Sequence, residues 1–176
     1  MHKSIRHCVT QLSLTCLSLA VIVPTSHAQT APATPPAPAR GPSLELALEA
    51  ARTVVNSCLA IDQKIGVSVL DSAGVPRVVL AADGASPRGV QSGNAKALTT
   101  LAFKQPSGQL GEAIKTDKSL ADKVAADSSY APRAGGVLLK VGDEIVGAIG
   151  VGGARGSEKD EACALAGVQK IQARLK

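Results

Sequence analysis

The 176-residue sequence predicts an α+β domain in which an antiparallel sheet of about five strands carries packed helices. Two observations lead there. Two pairs of β-rich runs each close around turn residues. Gly66 to Leu70 and Val75 to Ala81 flank Asp71-Ser72-Ala73-Gly74, and Val137 to Val141 and Glu144 to Val151 flank Gly142-Asp143. Segments with helical spacing and helix-start residues precede and follow these hairpins, which supplies the layer a sheet face must bury against.

At the N-terminus, Lys3 and Arg6 precede an apolar run from Cys8 to Val23, and Ser26-His27-Ala28 is a small-x-small site before Gln29. This order predicts a cleaved secretory signal over 1–28 and a periplasmic or secreted protein; the run is short for a membrane span and no stop-transfer pattern follows. A lipoprotein reading is weaker, because Cys16 lies inside the apolar run without a lipobox. Cleavage removes His2, His7, His27, Met1 and two of the four Cys, and lowers the net charge from +5 to +3 because only Lys3 and Arg6 are lost. A mildly basic chain whose aromatics are Phe103 and Tyr130 has little with which to stack bases, so nucleic acid is not an expected partner.

Residues 29–42 are rich in Pro and Ala and predict an extended tether before a domain over 43–176. Ser43 predicts a helix cap, with Glu45 in the first turn and Leu44, Ala47, Leu48, Ala51, Val55, Cys58 and Leu59 on one buried face, ending near Lys64. In the first hairpin Asp71 reads as a turn residue bonding local amides. Ser86-Pro87 opens the next helix, which runs to about Phe103. Pro106-Ser107-Gly108 breaks it. Leu110 to Ile114 and Ser119 to Ala126 are short helical candidates, the second capped by Asp117, and Ser128 to Pro132 is a loop holding Tyr130. After the second hairpin, Gly150, Gly152, Gly153 and Gly156 crowd one loop, and Ser157 with Asp160 three residues on marks the start of a last helix to about Arg174.

That glycine loop is not a dinucleotide site. Its spacing is wrong, no strand follows its helix, and a phosphate there would meet Glu158, Asp160 and Glu161. No P-loop, nucleophile elbow or zinc spacing is present. With the signal removed no His remains, which excludes a His-based hydrolase triad or a His-bound metal.

Four stretches in order carry a family resemblance: GVSVLDSAGVPRVVLAADGAS (66–86), NAKALTTLAFKQPSGQL (94–110), RAGGVLLKVGDEIVG (133–147) and VGAIGVGGARGSEKDEACALAG (146–167). Together they resemble the GlcG/HbpS-like haem-binding family over roughly Leu44 to Arg174. The resemblance implies a profilin-like α/β/α sandwich that assembles into dimers or higher homo-oligomers. It implies a haem or related tetrapyrrole ligand; the alternatives are an enzyme or accessory factor acting on a small organic acid, and a periplasmic oligomeric scaffold.

Within the matching segments, Lys96 and Thr99 fall on a Lys-Ala-x-Thr piece. Lys96 either reaches a ligand carboxylate or the glycine hairpin, or spreads its methylenes over the sheet. Arg133, beside Gly135 and Gly136, either faces an anionic ligand or makes a local contact. No catalytic residue is assigned. Tyr130 is the metal-ligand candidate, since haem iron is held by His, Cys thiolate, Met or Tyr; Arg133 or Lys96 would then sit near the propionates, in a site of modest affinity shared between subunits. The implied sandwich sets the first and last helices side by side, so Cys58 and Cys163 are expected to pair, the alternative being two buried thiols.

Overall fold

A computed structural model describes residues 38–176. The expected signal at 1–28 and most of the tether lie outside the described residues. The elements run α1 (Leu44–Leu59), β1 (Gly66–Asp71), β2 (Pro76–Ala81), α2 (Pro87–Phe103), α3 (Ser107–Ala113), α4 (Lys118–Ala125), β3 (Gly136–Val141), β4 (Glu144–Gly152) and α5 (Ser157–Ile171), with a 3-10 turn over Gln172–Arg174.

Among the described residues the sheet has four strands, not about five, all antiparallel in the order β2-β1-β4-β3. The two hairpins supply two strands each. The stretch between them, 107–125, forms the helices α3 and α4, close to the short helices expected there, and supplies no further strand. Pairing β1 with β4 joins the hairpins at the centre and leaves β2 and β3 as edges.

Helices cover both faces. On one, α1 and α5 pack on each other and on the sheet, burying Ala47, Ala50, Ala51 and Val54 of α1 with Val67, Val69, Ile149 and Val151 of the strands and Cys163, Ala164 and Ile171 of α5. The predicted stripe of α1 is rotated by part of a turn: Leu44 and Leu59 are exposed, while Ala50 and Val54 face inward. Small residues on the inner side let α1 lie close to α5, where a Cβ on Gly167 would stand 3.1 Å from the Ala50 carbonyl oxygen. Cys58 and Cys163 meet across this helix pair as a disulfide, their Cα atoms 5.6 Å apart.

The other face carries α2 over β4, β1 and β3, with a groove between it and β2. Here the contact is backbone against backbone. A Cβ at Gly152 would stand 2.5 Å from the Gly89 carbonyl oxygen, one at Gly93 would stand 3.0 Å from the Gly150 carbonyl oxygen, and one at Gly150 would collide with the Gly93 carbonyl. The glycines that look from sequence like a loop cluster are therefore half seam: Gly150 and Gly152 close β4, and only Gly153 and Gly156 adopt positive φ (+117° and +111°).

The caps at Ser43, Ser86 and Asp117 form as predicted, each side chain accepting an amide from the first turn. Asp71 Oδ1 accepts from the Ala73 and Val75 amides, the local turn role read for it. The end of the tether is docked: Arg40 exchanges hydrogen bonds with Ser72 and pairs with Glu144.

The disulfide spans 105 residues, so its loss should cost about 4–5 kcal/mol by loop-closure entropy. Urea melts of wild type and Cys58→Ala/Cys163→Ala check this; equal midpoints would show that the bond contributes nothing.

Candidate functional site

Lys96 is the largest fully buried side chain, with 2% relative exposure, among the described residues. It shares the inward side of α2 with Gly89, Ser92 and Gly93, at three- and four-residue spacing. The glycines let the helix settle on β4, and that descent carries the lysine head into the interior. Gly135 keeps the space open: a Cβ there would stand 2.9 Å from Lys96 Nζ, and the residue holds φ +123°, which side chains avoid.

A buried ammonium requires a counter-charge. Asp160, in the first turn of α5, supplies it: Lys96 Nζ donates to Asp160 Oδ2 at 2.7 Å, and the Ala154 amide donates to Asp160 Oδ1 at 3.0 Å. Both side chains are only 2–3% exposed. Burial pushes the Lys96 pKa below its ordinary value against the opposing pull of Asp160, and Arg133 nearby lowers it further. Burial likewise pushes Asp160 up, opposed by Lys96, the Ala154 amide and Arg133.

The pair forms the inner wall of a pocket of ≈240 Å³, lined also by Ser86, Arg88, Ser92, Arg133 and Ser157. Arg88 and Arg133 are exposed at its mouth. The backbone beneath Arg133 is anchored, because Ser107 Oγ donates to the Arg133 carbonyl at 2.6 Å and accepts from the Gly136 amide at 2.8 Å. Glu161 Oε2 accepts from the Gly135 amide at 3.3 Å.

The structure thus brings Lys96, Arg133 and Gly135 together. Gly136 lies behind them, where a Cβ would stand 2.5 Å from the Lys96 carbonyl oxygen, so its role is close packing. Thr99 turns away from the pocket: its hydroxyl donates to the Ala95 carbonyl and accepts from the Ala131 amide, each at 2.7 Å, which pins the 128–132 loop onto α2. Tyr130 is elsewhere. It packs edge-on against Phe103, with centroids 5.2 Å apart and planes at 78°, and lines a groove of ≈350 Å³ with Leu98, Leu101 and Ala102. Lys96 and Leu98 are two residues apart on one helix, or about 200° around its axis, so the two sites lie on opposite sides of α2. Within one chain Tyr130 does not share a site with Lys96 or Arg133.

Asp160 and Arg88 belong to the pocket without having been singled out. Asp160 looked like a residue complementing the helix start. In the structure the N-cap position is Gly156, with no side-chain cap bond, and Asp160 points inward. The one signal available was that a buried lysine implies a buried acid, and Glu158, Asp160 and Glu161 answer that equally in sequence.

Among the described residues the chain is an α+β domain with an antiparallel four-stranded sheet and five helices, and its sequence and fold match a known family. The family model described as "Haem degrading protein HbpS-like" matches residues 43–169, and the chain belongs to that family. The crystal structure of HbpS superposes with a TM-score of 0.69 at 29% identity, covering 76% of this chain and 92% of that one. A double mutant of Streptomyces reticuli HbpS gives 0.67 at 30% identity, covering 78% and 97%. The PduOC:heme complex shares the fold, with a TM-score of 0.68 at 19% identity, covering 77% and 97%. None of the curated proteins matches the sequence.

Lys96→Met should cost about 3–5 kcal/mol by stranding Asp160 in the interior, whereas Lys96→Met/Asp160→Leu should recover at least half of that. Denaturant melts of the single and double variants read the difference. A single variant as stable as wild type would mean that the pair is open to water.

Proposed function

We propose that the protein is an exported haem-binding member of the HbpS-like family, with Tyr130 as the iron ligand. One observation carries the reading. Among the described residues there is no His or Met, and Cys58 and Cys163 are joined, so Tyr130 alone offers a conventional haem-iron donor, and it lines a groove that sets Leu98, Leu101 and Ala102 beside the polar Ser72, Asp127 and Ser129. The groove shares Leu98 and Ser129 with a second one of ≈550 Å³, walled by Val79, Val90 and Ala95. Ser68 lies at that second groove, fully buried, and its hydroxyl has no hydrogen-bond partner. An apolar wall with an orphaned hydroxyl and a phenol beside it fits a flat macrocycle bearing polar atoms. No donor of that kind lines the Lys96–Asp160 pocket.

In this reading Tyr130 would hold the iron through its phenol oxygen, Phe103 supports its ring edge-on, and Leu98, Leu101 and Val79 would exclude water from the macrocycle. Bound haem would supply an iron centre. The propionates need cations that Lys96 and Arg133 cannot provide from across α2, which favours a site completed by a second copy. Self-association is supported by the two sheet edges left unpaired among the described residues, and by Val75 in the turn before β2 and Val79 on it, exposed at 53% and 47%. Export rests on the charge, apolar run and Ser-His-Ala order at residues 1–28. Among the described residues no helix is long and apolar enough to cross a membrane.

Haem titration of wild type and Tyr130→Phe tests the ligand. Wild type should give a phenolate-ligated spectrum, and the variant should lose it and bind at least about tenfold more weakly. A bis-nitrogen low-spin spectrum, or one unchanged by Tyr130→Phe, would overturn the assignment. Intact mass of protein from the host envelope should start at Gln29; a chain still beginning at Met1 would overturn export by this signal.

A further inference from the structure

The haem reading leaves the ≈240 Å³ pocket unused, although it is the more elaborate of the two sites. Its mouth holds two exposed guanidiniums, and neither Arg88 nor Arg133 pairs with a carboxylate among the described residues. Ser86, Ser92 and Ser157 add hydroxyls along the walls. Its inner wall holds the Lys96 ammonium, which carries three N–H groups and donates one, to Asp160. A buried donor left without an acceptor is costly, so the lysine presents two unspent donors to whatever enters.

We propose that this pocket binds a small monocarboxylic acid carrying a second, uncharged oxygen acceptor: a hydroxy acid or an oxo acid. The guanidiniums at the mouth match the planar carboxylate and can grip it in a fork. The spare N–H groups of Lys96 take the second oxygen at the inner end. Each end of the ligand thus meets donors at a different depth, one set exposed and one buried. A phosphate dianion fits less well, because Glu158, Asp160 and Glu161 crowd the start of α5 beside the cations. A wholly apolar ligand would leave every one of these polar groups desolvated and unpaired.

The site lies across α2 from Tyr130, so the two ligands are tested independently. Calorimetric titration of the full-length protein would use lactate and pyruvate, with propionate, propionamide and inorganic phosphate as comparisons. The two-oxygen acids should bind saturably, propionate at least about tenfold more weakly, and propionamide and phosphate not measurably. Arg133→Gln and Arg88→Gln, both at exposed positions and checked for unchanged circular dichroism, should each weaken lactate by about tenfold or more. Tyr130→Phe should leave it unchanged. No saturable binding by any acid, equal binding of propionate and lactate, phosphate binding as tight as the acids, or affinity indifferent to both arginine substitutions would overturn the proposal.

Discussion

The molecule depends on the contact between α2 and β4, where four glycines bring backbone against backbone. Gly89 and Gly93 on the helix face Gly150 and Gly152 on the strand, and carbonyl oxygens occupy the space that Cβ atoms would take. Ordinary helix-on-sheet packing holds the two layers apart by the thickness of their side chains. Here the helix sits lower, and two consequences follow. The Lys96 head enters the interior rather than snorkelling to solvent, and the loop after β4 is drawn under the start of α2, so that α5 begins with Asp160 against the lysine. The polar pocket is the rim of that descent.

Much of this arrangement was legible along the chain. Ser43, Ser86-Pro87 and Asp117 start their helices where local chemistry places them, because a cap is a contact within one turn. Asp71 was legible for the same reason. The errors concern what depends on contacts distant in sequence. Asp160 pairs with a lysine 64 residues away, and nothing local separates its inward carboxylate from the outward ones at Glu158 and Glu161. Thr99 resembles a pocket residue in sequence, but its hydroxyl is taken up by Ala95 and Ala131. The inner stripe of α1 was misjudged by part of a turn because Ala is equally at home on either side of a helix, and only the neighbouring α5 selects Ala50 and Val54.

The helix α2 divides the functional surface. One side presents cations, hydroxyls and the buried ion pair, and the other presents Leu98, Leu101 and the phenol of Tyr130. These chemistries suit different ligands, and a helix locked to the sheet by its glycines cannot rotate to exchange them. The proposed haem site uses the side of Tyr130, whereas the cations and hydroxyls lie on the other.

The disulfide has a consequence for how the protein opens. It ties α1 to α5, so it staples one layer to itself and reaches nothing across the sheet. The opposite layer has the smaller apolar cluster, built on Leu70, Ala97 and Ala148, and it contains Ser68 and Thr100, the buried hydroxyls without partners among the described residues. The layer under α2 should therefore open before the stapled one. The α2 amides should exchange with solvent through sub-global opening while the stapled layer stays closed. Any ligand that grips α2, from either side, acts on the layer that opens first.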